Sequence, residues 1–210
     1  MVLQLTDDDE AGLEYLHLWA LIYALTEPAM VEGSFLLHGA LIERAGRGVV
    51  LAGPGGMGKT TCWRRVPPPW RGLSDDLVLV CPTGAGEYVA HPMPTCGAFL
   101  DGGRGGTWDA QHSILLSGVF FLNQAGVDDA TPISGSETAL LLTERSIETY
   151  RLGLRKAPTD VAREWRVRIL DNVSAAARTV PAWDLKFSRG GRFWEAVEGA
   201  LEPPAEPTHR

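Results

Sequence analysis

The sequence has no apolar run long enough to cross a bilayer. The stretch from Leu16 to Leu25 is about half the roughly 20 residues that a spanning helix needs. Cysteine is scarce: Cys62, Cys81 and Cys96 are odd in number and too widely spaced for a zinc site, so free thiols in a reducing cytoplasm are expected. Basic residues are outnumbered, 19 Lys and Arg against 26 Asp and Glu, for a net charge of −7. That balance argues against the basic stripe of a general nucleic-acid binder. A basic start followed by an apolar stretch is missing too, because Met1-Val2-Leu3-Gln4 soon gives way to Asp7, Asp8, Asp9 and Glu10. The expectation is a soluble cytoplasmic protein with neither a membrane nor a nucleic-acid partner.

What is present is an ordinary globular composition, 45% hydrophobic and 21% charged, with no internal repeat or interdomain linker. One domain over 1–202 is expected, with a flexible Pro-rich tail over 203–210. Residues 9–27 read as an amphipathic helix through Tyr15, Trp19, Ile22 and Tyr23, ending at Pro28. A core over 34–125 follows. It holds strand pieces Ser34–Leu37 and Ala40–Glu43 around His38-Gly39, then Val49–Ala52, Leu73–Cys81, Glu87–Ala90 and Ile114–Leu122. In the part over 134–202, Ser134 with Glu137 forms a capping box for a helix to about Tyr150. Thr159 caps a second helix to about Arg178, Ala182–Phe187 reads as a strand, and Arg192–Leu201 as a last helix. Strands and helices mix without strict alternation, which predicts α/β or α+β with a mixed sheet and flanking helices.

The chemistry concentrates after Ala52. Gly53-Pro54-Gly55-Gly56-Met57-Gly58-Lys59-Thr60, followed by Thr61, is a complete phosphate-binding loop pattern between an apolar strand and a helix start. Glycines at 53, 55, 56 and 58 let the backbone curl so that successive N–H groups point at phosphate oxygens. Lys59 is expected to bridge the β- and γ-phosphates of ATP, and the Thr60 hydroxyl to ligate Mg2+. The helix should be brief, since Pro67-Pro68-Pro69 cannot continue it.

Sixteen and seventeen residues after Lys59 stand Asp75 and Asp76, carboxylates suited to holding magnesium or taking a proton. On a strand they face opposite ways, which implies different tasks. Arg104, within Gly102-Gly103-Arg104-Gly105-Gly106, either closes over a terminal phosphate or belongs to a plain exposed loop. His91 and His112 show no identifiable partner in sequence and read as structural, and Trp165, Trp183 and Trp194 read as core or hydrophobic surface and not as a stacking platform.

His38-Gly39, the glycine loop and Ser74-Asp75-Asp76 together resemble the catalytic domain of the bacterial HPr kinase/phosphorylase group, best over residues 34–81. That group shares its nucleotide fold with phosphoenolpyruvate carboxykinases. Pro92-Met93-Pro94, Val119-Phe120-Phe121-Leu122-Asn123-Gln124, Val180-Pro181 and Phe193-Trp194 are similar to the short, divergent HPr-kinase-related proteins that accompany peptide-modification cassettes, including the SynChlorMet type. The resemblance implies a carboxykinase-like mixed sheet. It implies Asp75 as general base, Asp76 as a magnesium ligand, and His38 near the γ-phosphate, with the division between the two aspartates open. It also implies an oligomer, since that group often forms hexamers. The group's later glycine-rich signature, with its Glu and Arg, has no counterpart by sequence.

These readings lead to an ATP- and Mg2+-dependent kinase acting on a Ser or Thr hydroxyl of a protein or peptide. A nucleotide-responsive accessory protein of a peptide-modification pathway, without kinase activity, is the alternative. A free-amino-acid or small-molecule kinase is not separable from the first, because the acceptor site lies in the unassigned part of the chain. A GTPase is disfavoured, since no Asn-Lys-x-Asp base-reading sequence follows. The chain is also too short for a phosphoenolpyruvate carboxykinase.

Overall fold

A computed structural model describes residues 10–94, 109 and 111–202, with side chains from residue 17 onward. The expected tail, Cys96 and the glycine-rich segment holding Arg104 lie outside the described residues. In chain order the elements are α1 (Glu10–Val31), β1 (Phe35–Arg44), β2 (Arg47–Ala52), α2 (Lys59–Arg65), β3 (Arg71–Ser74), β4 (Leu77–Pro82) and β5 (Tyr88–Pro92). After them come β6 (Ile114–Gln124), β7 (Asp129–Pro132), α3 (Gly135–Lys156), α4 (Thr159–Ala176), β8 (Ala182–Phe187) and α5 (Phe193–Leu201).

The fold is mixed α/β, with one eight-stranded, mostly antiparallel sheet flanked by helices. Among the described residues, only β2 with β6 and β6 with β8 run parallel. The pairings β1–β2, β2–β6, β6–β5, β5–β4 and β4–β1 close a ring of strands. Beyond it, β8 and then β7 extend from β6, while β3 pairs with β1.

Both faces of the sheet are covered, so β2 reads as a continuous apolar run and not as an alternation. Its Val49 and Leu51 enter a core with Cys62 of α2 and Phe193 and Val197 of α5. Val50 and Ala52 enter the other core, beneath α1, α3 and α4. In that second core Tyr23, Tyr150 and Trp165 pack ring against ring, with centroids 5.9 to 6.1 Å apart. Each such buried side chain contributes roughly 1.5–3 kcal/mol. The Tyr23 hydroxyl donates to Thr149 O at 2.8 Å, and Leu36 N–H donates to the Tyr150 hydroxyl at 3.3 Å. These contacts lock α3 in register against β1.

Several expectations change. The strand pieces around His38-Gly39 are one strand, β1, because Gly39 lets it pass close to β2: a Cβ there would stand 2.6 Å from Val50 Cγ1. Helix α1 runs through Pro28 to Val31. Buried Met30 and Asn172, whose amide donates to Met30 O and Ser34 O at 2.8 and 2.9 Å, hold that last turn. Pro158, not Thr159, precedes α4, and no side chain caps it. Ser134 does cap α3, accepting from Glu137 N–H at 3.2 Å, and that helix continues past Tyr150 to Lys156.

Candidate functional site

Strand β2 ends at Ala52, and the chain turns through Gly53–Gly58 into α2. Gly56 and Gly58 hold φ of 77° and 108°, a left-handed backbone that a side chain rarely adopts. At Gly55 and Gly56 a Cβ would meet nothing within 4 Å, so the loop opens away from the protein. As expected, α2 is short: seven residues, after which Trp70 N–H bonds back to Pro67 O at 2.9 Å.

Lys59 is buried, and its ammonium donates to Gly53 O at 2.8 Å and Pro54 O at 3.2 Å. The side chain therefore folds over the loop it follows. Burial pushes its pKa below the ordinary lysine value; the carboxylates of Asp76 and Glu148 oppose that shift, and Arg145 adds to it. Thr60 is half-buried in the first turn of α2, and Thr61 is exposed.

His38 reaches the same place from β1, since Gly39 pairs with Ala52. Its Nε2 lies 3.0 Å from Asp76 Oδ1 and its Nδ1 lies 2.9 Å from Glu148 Oε2. An imidazole donates at both contacts only when both ring nitrogens carry hydrogen. Arg145, one turn earlier on α3, binds Glu148 Oε1 at 2.8 Å and Glu144 Oε2 at 3.2 Å. The His38 hydrogen bond holds the Asp76 carboxyl below the usual range against the opposing effect of burial, and the charges of His38 and Lys59 add to it.

Asp75 and Asp76 do not start a strand. The expected strand Leu73–Cys81 splits into β3 and β4, both paired with β1, and the two aspartates fill the break opposite Gly39-Ala40. Gly39 N–H donates to Asp76 O at 3.0 Å, and the Ser74 hydroxyl donates to Leu77 O at 3.0 Å, closing the turn. This backbone break replaces the opposite-face geometry of a strand. Asp76 turns toward His38, while Asp75 is half-buried beside it.

The structure thus gathers His38, Lys59 and Asp76 with two residues the sequence reading missed, Arg145 and Glu148. Glu148 lies 110 residues from His38, and only its i,i+3 spacing from Arg145 on one helix face hinted at a pair. On the far side of the loop, Gln124 Nε2 donates to Met57 O at 3.0 Å, and Phe187 lies against Gly58, where a Cβ would stand 3.2 Å from its Cζ. His112 also has a partner after all, Glu43 Oε2 at 3.1 Å, at the opposite end of β1. Among the described residues no group of three or more His, Cys, Asp or Glu is arranged to hold a metal ion, and no helix is long and apolar enough to cross a membrane.

A profile of the SynChlorMet cassette protein ScmC family matches residues 1–202. The chain belongs to that family. The ScmC match spans every element described above, including the glycine loop and α3. No curated protein matches the sequence.

Proposed function

We propose that this ScmC-family chain binds ATP with Mg2+ on the Gly53–Thr60 loop and transfers the terminal phosphoryl group to a Ser or Thr hydroxyl of a protein or peptide. The proposal includes a phosphoenolpyruvate-carboxykinase-like P-loop fold and a cytoplasmic setting. The observation that carries it is the convergence of His38, Asp76, Glu148 and Arg145 on buried Lys59, beside a loop whose glycines open outward.

The residues fit a magnesium nucleotide. Magnesium is usually held by one or two carboxylates plus phosphate oxygens, and the Asp76 carboxylate stands beside the loop, within Coulombic reach of Lys59. Thr60 and Asp76 would hold the ion, which neutralises charge on the transferred phosphoryl group. Lys59 swings from Gly53 O and Pro54 O to the β- and γ-oxygens. Asp75, half-buried in the β3–β4 break, takes the acceptor hydroxyl proton. His38, oriented by Glu148, contacts the γ-phosphate, and Arg145 anchors Glu148. The work is positioning and electrostatic neutralisation.

One observation favours a second reading, an ATP-responsive accessory protein without transfer activity: the carboxylate beside the loop is already engaged by His38. The test is incubation with γ-labelled ATP, magnesium and a peptide or lysate pool from the source cell. Label on a peptide or protein, lost in Lys59→Ala and Asp75→Asn, supports the kinase. Binding without transfer supports the accessory protein, and full activity in both variants overturns the site.

A further inference from the structure

The glycine loop has two unlike flanks, and their difference gives a bound nucleotide a direction. Strand β2, which leads into the loop, lies between β1 and β6. On the β1 flank stand the ionisable groups: His38, Asp76, Glu148 and Arg145. On the β6 flank stand an amide and a ring, Gln124 against Met57 O and Phe187 against Gly58. A triphosphate whose reacting end meets the ionisable groups has its other end over β6 and β8.

What waits there is a braced loop. From the end of β8 to the start of α5 the chain runs Ser188-Arg189-Gly190-Gly191-Arg192. The Asp128 carboxylate accepts from Ser188 N–H and Arg192 N–H, both at 2.6 Å. Arg65, at the end of α2, donates to Ser188 O at 3.1 Å and to Gly191 O. Ala125 N–H bonds to Phe187 O at 2.9 Å. The loop is therefore pinned from the β6–β7 connection on one side and from the glycine-loop helix on the other. At its crest Arg189 and Gly190 are exposed, and Arg189 makes no ion pair among the described residues, whereas Arg192 pairs with Glu195 at 2.8 Å.

We infer that the Ser188–Arg192 loop is the seat of the nucleoside half of the ligand, with the Arg189 guanidinium laid on the base. The inference rests on the proposed nucleotide site and adds its polarity. A planar guanidinium stacks on any base, so this contact distinguishes a nucleotide from a bare phosphate chain more sharply than one base from another. Arg65 and Asp128 are positioning residues for the loop.

The test compares binding of Mg·ATP and Mg·tripolyphosphate, measured by calorimetry, to the wild-type chain, Arg189→Ala and Lys59→Ala. The expected result is that Arg189→Ala weakens ATP roughly fivefold to thirtyfold and leaves tripolyphosphate within twofold. Lys59→Ala weakens both. Equal weakening of both ligands by Arg189→Ala would make it a phosphate contact and overturn the inference, as would no effect on either. If the wild-type chain binds neither ligand, or Lys59→Ala weakens neither, the nucleotide-site reading itself fails, an outcome distinct from failure of the Arg189 assignment alone. Arg189 is exposed and makes no ion pair among the described residues, so melting of the variant should match wild type and tie any loss to the contact.

Discussion

Strand β1 carries a charged cluster toward each end, and the two are held together differently. At one end His38 is bracketed by Asp76 and Glu148 beside a loop of exposed glycines, with Lys59 satisfied only by backbone carbonyls. At the other end Glu43 is buried, with its side chain 9% exposed, and is matched by Arg71 and by His112. Next to it Arg44 pairs with Glu198 and lies 5.9 Å from the Trp70 ring centroid, while Trp70 Nε1 donates to Glu198 Oε1 at 2.7 Å. Glu43, Arg71, His112, Arg44 and Glu198 all have side-chain partners here, whereas Lys59 is bonded to backbone carbonyls. The groups of this second end fasten β1, β3, the start of β6 and α5 together. Converging charges therefore do not by themselves make a site. A buried cation bonded to the carbonyls of its own backbone loop, and not to a carboxylate, is what separates the first cluster from the second.

Substitutions at the two ends should separate activity from stability. The largest effect is expected from Lys59→Ala, which should lower phosphoryl transfer from labelled ATP by about 10²–10³-fold, with melting near that of wild type. A Lys59→Ala protein that transfers normally would erase the distinction. His38→Ala should cost roughly 10²-fold in transfer, read in the same assay. Glu43→Gln should do the opposite: transfer stays within twofold, and stability from urea unfolding falls by about 1–3 kcal/mol as Arg71 and His112 lose a charged acceptor. A transfer defect without a stability defect in that variant would merge the two ends.

The smallest effect is a pH dependence. Burial alone would raise the Glu43 pKa, but the Arg71 and His112 hydrogen bonds and charges outweigh it and hold it below the ordinary carboxylate value. A carboxylate whose pKa is lower folded than unfolded stabilises fully above the unfolded value and loses that contribution as pH falls through the folded one. Wild type should therefore lose more stability than Glu43→Gln between about pH 5 and pH 3. Parallel urea midpoints across that window would remove Glu43 from the account.

The glycine loop was legible because its information is local: eight consecutive residues carry the backbone requirement, the cation and the hydroxyl. Strand β8 and the short α2 were legible for the same reason. Asp75-Asp76 was visible as a pair but misplaced, because the break that holds it depends on what β3 and β4 meet on β1, not on its own residues. Arg145 and Glu148 showed no more than an i,i+3 spacing, for a stronger reason. Their role exists only once Tyr150 and Tyr23 dock α3 onto β1, a contact across more than a hundred residues. The Glu43–His112 pair spans 69 residues and escaped in the same way.

The closed ring of strands has a consequence for the chain in a crowded solution. Among the described residues, each ring strand has neighbours on both sides, so only β3 and β7 present an unpaired edge. Both are four residues long; exposed Arg71 stands on one, and Asp129 and Pro132 on the other. Short edges carrying charge and proline are poor templates for another strand, so the sheet offers little purchase for strand-by-strand self-association even though its strands are richly apolar.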